Sequence, residues 1–513
     1  MATPKVVPLH LKGNKGTLET DDYTKEAVAK VEAGYVDTLD DAGEDPNSDK
    51  NDAKLEDQIN SIMRESSSPS LKLGKRRGSA GIMSGGLMYE LEIASRGGGM
   101  LSSVYPLLKL SSVSFLGGLT PSFLVAAIPF SDPSGDPYSA PFHIYNILSQ
   151  CGVGVAAVLW QVNSSGGDIL SGFNTSKWRN TFIASISFAL GVVATLVVSI
   201  EVLDAFPMPF YILAGLPGCI CQIVTIYHFL PVVVRTNWRS RVQFLRGAIT
   251  LLFAFFFCAC LVIARIVFMS LSAGDQTLFS VVFFLLKIAL KNIVKFISRG
   301  SDNPDFEAVL AYWFDLMSGI FTNILFVDVQ SPVTFFVMIF MDVCENIFHV
   351  VVATRTLNKC RASEEETSKG GEEQLTLRVR AEQAISKRGA YSLFLCLAMS
   401  ELSEVIASVI SSSIVLTLRY GFNRDYQHLI AVDVDVLGIL GYSLGDALVE
   451  IFLFCAISAW TQKRFGINIM QMTMVLIRHN LVYYFFGPFC ATSIVYWVFL
   501  KHGGVDEELL RLF

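Results

Sequence analysis

From residue 111 to residue 500 the chain is a succession of apolar stretches, each about as long as a lipid bilayer is thick. That succession constrains the fold more than any other feature. A spanning helix needs about 20 mostly apolar residues, and inside a bilayer the backbone must satisfy its own hydrogen bonds, which helices do. The candidate spans are 111–130, 143–162, 180–203, 208–234, 247–272, 277–297, 306–326, 331–353, 391–418, 436–460 and 481–500. The expected fold is therefore an all-α, polytopic transmembrane bundle of about ten or eleven helices, spread over residues 106–503. The stretch 111–130 holds Gly117, Gly118 and Pro121, which membrane helices tolerate. Segment 466–479 reads as an amphipathic or re-entrant piece, because Arg478 and His479 argue against a clean span.

The polar residues are unevenly distributed. Charged side chains make up 17% of the chain, against about 25% in soluble globular proteins, and residues 1–105 hold a large share of them. This N-terminal tail is rich in Asp, Glu, Lys, Ser and Gly. It cannot bury enough apolar surface to offset the entropy of ordering, so disorder is expected. A short helix over Ala53–Met63 is the one element its spacing suggests, from Leu55, Ile59 and Met63. Residues 504–513 form a short C-terminal tail. Met1–Gly13 carries no apolar core of a signal peptide, so an internal helix is expected to direct insertion.

Basic residues set an expected orientation. Arg235, Arg239, Arg241 and Arg246 follow 208–234; Lys359, Arg361, Lys369, Arg378, Arg380, Lys387 and Arg388 lie in a loop at 354–390; Lys463 and Arg464 follow 436–460. Positive loops face the cytosol, and all three do so if 111–130 spans and the tail is cytosolic. The reading is an integral, multi-pass membrane protein with a cytosolic N-terminus. The sequons at Asn163-Ser164-Ser165 and Asn174-Thr175-Ser176 would then also be cytosolic, and the basic loops outweigh them.

Within the tail, Lys75-Arg76-Arg77-Gly78-Ser79 resembles a site for basic-directed kinases, which makes Ser79 a candidate for phosphorylation and a kinase a candidate partner. The same basic cluster can sit on anionic lipid, and the two readings are compatible. The net charge of −6 comes with no basic stripe interleaved with aromatics, so a nucleic-acid partner is not expected. Of ten cysteines, nine lie in apolar stretches and Cys360 in a charged loop. Cys219-Ile220-Cys221 and Cys258-Ala259-Cys260 have the look of metal pairs, but buried free thiols explain them better.

Ionisable residues deep in membrane helices are costly, and function with a partner is their default reading. Helix 331–353 places Asp342, Glu345, Asn346 and His349 within an arc of roughly 100°. Helix 391–418 carries Glu401, Glu404, Ser408, Ser411 and Ser412 on one face; helix 306–326 carries Asp315, Ser318, Gly319 and Thr322; helix 436–460 carries Tyr442, Ser443, Asp446 and Glu450. Such a cluster, when ionised, needs a cation: a proton, a metal ion, a substrate or a lysine. Lys287, Lys291 and Lys295 share a face of helix 277–297, with Lys287 at mid-helix as the best internal counter-ion, while Arg265 is expected to snorkel outward. Residues 341–350 also align with 400–409 in acid, small polar, acid and aliphatic positions, a short echo of the inverted repeats of transporters.

The leading functional expectation is a transporter or channel for cations, with proton or divalent-metal coupling through these carboxylates. Oxygen-rich ligands with one histidine suit hard to borderline divalent ions. Asp342, Glu345, His349, Glu401 and Glu404 are the candidate metal ligands, and Asp315, Asp446, Glu450 and Lys287 the candidate substrate or proton pathway. No cofactor is expected beyond a bound divalent cation or coupling proton; the expected partners are the bilayer and a small ion or solute.

Alternatives are an intramembrane enzyme, protease or acyltransferase-like, and a receptor or scaffold signalling through its tail. Paired membrane aspartates are the chemistry of presenilin-type proteases, but Tyr312-Trp313-Phe314-Asp315 and Ser443-Leu444-Gly445-Asp446 depart from that family's motifs, and no Pro-Ala-Leu follows. No Gly-x-Ser-x-Gly elbow lies in a suitable helix, and an acyltransferase would rest on His349 alone. Charged helix interiors would be an odd cost for a scaffold.

Overall fold

The computed structural model describes residues 100–131, 140–165, 178–202, 214–298, 306–325, 331–369, 377–426 and 436–500, together with 91, 93, 94, 169 and 173. The N-terminal tail with Ser79, the Asn174 sequon and the C-terminal tail lie outside these residues. The chain divides into two units, one joining Met1–Lys72 to Arg355–Ala390 and the other joining Leu73–Thr354 to Tyr391–Phe513.

All described regular structure is helical. In chain order the helices are α1 (Met100–Ala127), α2 (Ala140–Ser165), α3 (Trp178–Glu201), α4 (Gly215–Phe229), α5 (Val232–Thr236), α6 (Trp238–Ser270), α7 (Ala273–Ser298), α8 (Phe306–Leu325), α9 (Pro332–Lys369), α10 (Leu377–Tyr420), α11 (Val436–Phe465), α12 (Ile469–His479) and α13 (Leu481–Phe499). Among the described residues, nine helices are long and apolar enough to cross a membrane: α1, α2, α3, α6, α7, α9, α10, α11 and α13. The protein is an integral, multi-pass helical membrane protein.

One expected span differs, and one is matched by a helix with an unusual polar content. The stretch 208–234 yields α4, whose 15 residues cover about 22 Å at 1.5 Å each, short of the hydrocarbon thickness. Pro231 ends it: the preceding Leu230 takes ψ 141°, the extended conformation forced before proline. The other is α8. Its 20 residues match the expected 306–326 and are long enough at about 30 Å, with Glu307, Asp315 and Asn323 as the polar positions of an otherwise apolar helix. The packing explains why this is tolerated. Helix α8 is buried on nearly every side, so few of its polar groups face lipid.

Helix α8 is the hub of the larger unit. Trp160 of α2 meets Trp313 edge-on at 5.1 Å, Phe257 of α6 meets Phe314 at 4.6 Å, and Tyr484 of α13 meets Tyr312 at 4.8 Å. Each of these aromatic pairs adds about 0.5–1.5 kcal/mol beyond area burial. Behind the hub, α1 packs on α13 so closely that a side chain at Gly117 would strike the backbone of Phe485. The hydroxyl of Tyr496 bonds Ser122 Oγ at 2.9 Å across the same seam. The glycines of 111–130 are therefore contact points in a spanning helix. At its end, Asn423 accepts from Phe130 N at 2.7 Å and donates to the Val125 and Ile128 carbonyls at 2.6 and 2.8 Å, capping α1 from the turn after α10.

Segment 354–390, expected as a loop, is largely helical: α9 runs on to Lys369 and α10 begins at Leu377. Its Ala, Glu, Lys, Arg and Gln residues are strong helix formers, so the spanning helices continue past their apolar portions. The amphipathic reading of 466–479 matches α12. After Gly466 (φ 70°), Asn468 accepts from Gln471 N at 3.2 Å to start the helix, which buries Ile469, Met472, Thr473 and Leu476 along one face. The Asn163 sequon sits in the last turn of α2, where Ser164 and Ser165 are buried and donate to the Gln161 carbonyl at 3.0 and 2.7 Å. Cys219 is buried while Cys221 is exposed, as two residues apart on a helix requires, so the pair does not converge on an ion.

Candidate cation site

Five helices of the larger unit supply the site: α7, α8, α9, α10 and α11. Helix periodicity places the acids. Asp342 and Glu345 are three apart on α9, Glu401 and Glu404 three apart on α10, and Asp446 and Glu450 four apart on α11, so each pair shares a face. The opposite face of α9 exposes Phe336, Phe340, Ile347 and Phe348, the apolar side suited to lipid. Thr277 and Thr334 bond hydroxyl to hydroxyl at 2.7 Å between α7 and α9, and Phe335 packs against Tyr442 with ring centroids 4.6 Å apart and planes tilted by 39° between α9 and α11. These contacts hold the acidic face of α9 inward.

The two lysines of α7 behave differently. Lys291 Nζ lies 2.5 Å from Asp315 Oδ1 and 2.7 Å from Glu345 Oε1, two tight charged hydrogen bonds. Asp315 is further fixed by Ser400 Oγ, which donates to Oδ2 at 2.5 Å. Lys287 Nζ sits among four carboxylates with one long hydrogen bond, donated to Asp342 Oδ1 at 3.4 Å; Glu345 Oε2 also lies at 3.4 Å, and Asp315 Oδ1 and Glu404 Oε1 at 3.8 Å. Lys287 was expected to be the chief internal counter-ion, and Lys291 shares that role with the shorter bonds.

The remaining acids face each other. Asp342, Glu404 and Glu450 each offer an oxygen within 4.8 Å of the other two, the one group of this kind among the described residues. Glu401 lies beside Glu450, and both its oxygens are buried with no donor on them; Glu404 Oε2 and Glu450 Oε2 share that condition. Asp446 accepts from Ser408 Oγ at 3.0 Å, and Ser408 in turn accepts from Asn323 Nδ2 at 3.2 Å. His349 stands four residues beyond Glu345, half-exposed, outside the three-carboxylate group.

A cavity of about 60 Å³ opens onto this cluster, lined by Lys287, Asp342, Glu404, Asp446 and Asn323 on its polar side and by Phe268, Phe279, Phe283 and Phe284 on the other. A water needs about 10–15 Å³ by the same measure, so the space holds roughly four waters or an ion with part of its hydration shell. Asp342 is the most accessible of the acids around Lys287, retaining 23% side-chain exposure. Arg265, expected to snorkel, is instead buried, its guanidinium 4.4 Å from the Phe499 ring centroid. The side chain of Lys295 lies outside the described residues.

The sequence pattern had marked all of these acids. It also marked Ser408 on the acidic face of α10, but not Ser400, nor Asn323 as the partner of Ser408, because which polar groups meet depends on how the helices pack. No protein-family model, curated protein or solved structure matches this chain.

Proposed function

We propose that this protein is a multi-pass transporter or channel for cations, coupled to protons or to a divalent metal through its intramembrane carboxylates. One observation carries the reading. Seven carboxylates (Asp315, Asp342, Glu345, Glu401, Glu404, Asp446 and Glu450) gather where the membrane helices meet, and among the described side chains two lysines stand with them. Five negative charges are left to be balanced, and an uncompensated charge in a low-dielectric interior is prohibitive. Mobile cations are the chemistry that balances them.

Asp342, Glu404 and Glu450 are the ligand set best placed for a metal, because their oxygens converge and two of them line the cavity. All-oxygen ligation favours hard divalent ions such as Mg²⁺, Ca²⁺ and Mn²⁺ over zinc. Glu401 and Glu450, facing each other without a donor, are the pair suited to hold a shared proton. Glu345 and Asp315, tied to Lys291, anchor the site, and His349 is left to modulate Glu345 from the next turn. A cytosolic N-terminus and cytosolic basic segments complete the proposed topology.

The test is uptake of Mn²⁺ into proteoliposomes holding the purified protein, with and without a pH gradient. Saturable uptake above that of empty vesicles, altered by the gradient, supports the reading. Absence of both Mn²⁺ binding and flux overturns it.

A further inference from the structure

The two lysines of α7 lie one turn apart on the same face, yet their surroundings differ in kind. Lys291 is bonded at 2.5 and 2.7 Å and does not line the cavity. Lys287 lines the cavity, and its ammonium floats 3.4–3.8 Å from four carboxylates on α8, α9 and α10. A charged N–H···O bond runs at about 2.7–2.9 Å, so the one hydrogen bond Lys287 makes here, to Asp342 Oδ1 at 3.4 Å, is long, and the other three contacts are looser ion pairs. The cage is larger than one ammonium fills. Two of its neighbours confirm unspent capacity: Glu404 Oε2 and Glu345 Oε2 are buried and accept no hydrogen bond.

We propose that Lys287 is a tethered occupant of the cation site, a built-in competitor that the transported cation must displace, and that it thereby sets selectivity for divalent over monovalent ions. This rests on the cation-site reading above. The physical argument is one of charge. A monovalent ion entering the cage offers the carboxylates what the ammonium already gives them, without the advantage of being attached, so it gains little. A divalent ion offers twice the charge at the same distances, and the flexible four-carbon stem of lysine lets the ammonium withdraw along the cavity without unfolding α7. With the site empty, Lys287 keeps the carboxylates from repelling one another apart. The residue is thus specificity-determining and contributes no ligand atom of its own.

The test is Mn²⁺ titration of the full chain in nanodiscs, comparing wild type with Lys287→Met, in excess NaCl and in an equal ionic strength of N-methylglucamine chloride. Removal of the tethered competitor is expected to tighten Mn²⁺ binding at least about tenfold. Sodium is expected to weaken Mn²⁺ binding to Lys287→Met several-fold relative to the organic cation, and to leave wild type unchanged. Should Lys287→Met fail to fold for want of charge, the same comparison is made in an Asp342→Asn background, where the lost acid offsets the lost base; tighter binding in Lys287→Met/Asp342→Asn than in Asp342→Asn alone supports the proposal equally. Mn²⁺ binding to wild type with no gain on removing Lys287 overturns the proposal and leaves the cation-site reading standing. Absence of Mn²⁺ binding from wild type and every variant overturns both.

Discussion

Lys291 and Asp315 form the shortest charge contact of the site, Nζ to Oδ1 at 2.5 Å, and the bond joins α7 to the hub helix α8 at a point where both side chains are buried. Glu345 of α9 closes the arrangement at 2.7 Å on the same ammonium. Removing one partner of a buried ion pair costs about 3–5 kcal/mol, because the other charge is left without compensation. Lys291→Met is therefore expected to lower the unfolding midpoint in detergent strongly, and Lys291→Met with Asp315→Asn to recover part of the loss. Equal stability of Lys291→Met and wild type would remove the structural role assigned to Lys291.

Gly319 lets α8 and α10 approach beside the acids: a Cβ there would lie 2.8 Å from Ala407 Cβ and 3.9 Å from Glu404 Cγ. Overpacking of this sort costs about 1–3 kcal/mol, and here it also shifts Glu404. Gly319→Ala is expected to lower both thermal stability and Mn²⁺ affinity. Gly445→Ala on α11 is the control, since a Cβ there meets nothing within 4 Å. Calorimetric titration of the two variants checks the contrast; equal effects would detach Glu404 from the helix contact.

The basic segments predict that Ser68 in the tail and Ser363 share the cytosolic side. Single cysteines introduced there, in a background without reactive thiols, should resist an impermeant maleimide in intact cells expressing the protein at the plasma membrane, and react after permeabilisation. Labelling of either before permeabilisation inverts the topology.

Much of this architecture was legible because the bilayer leaves one spacing to read. Apolar runs of 20 or more residues gave the spans, and they mislead where that rule meets a local constraint: at Pro231, which ends α4 within 208–234. The acids were legible for the same reason, since Asp342, Glu345, Glu404 and Glu450 are costly where they stand. Their division of labour was not. Which lysine bonds tightly depends on the placing of α8 against α7, and the mid-helix position that singles out Lys287 in the sequence does not show that Lys291 makes the shorter bonds. Arg265 escaped for a related reason: a guanidinium near a helix end snorkels unless an aromatic from another helix covers it, and Phe499 lies more than two hundred residues away in the chain.

Asp342 separates a binding role from a structural one. Were it only a counter-ion for Lys287, Asp342→Asn would strand a buried ammonium and lower stability. The geometry removes that consequence, since Lys287 keeps Glu345 at 3.4 Å and Asp315 and Glu404 at 3.8 Å. An amide of the same shape is also less costly in a membrane than a carboxylate. Asp342→Asn should therefore unfold at a temperature close to wild type while Mn²⁺ flux falls at least about tenfold, the worth of roughly 1.4 kcal/mol of lost ligand interaction. Glu404→Gln and Glu450→Gln should follow the same pattern. Because a carboxylate must be deprotonated to hold a metal, protons and Mn²⁺ compete, and Mn²⁺ affinity should weaken as pH falls. Flux and thermal stability measured side by side decide the matter: a destabilised Asp342→Asn with flux proportional to the folded fraction would make Asp342 a structural residue, and a stable, inactive one places it at the ion.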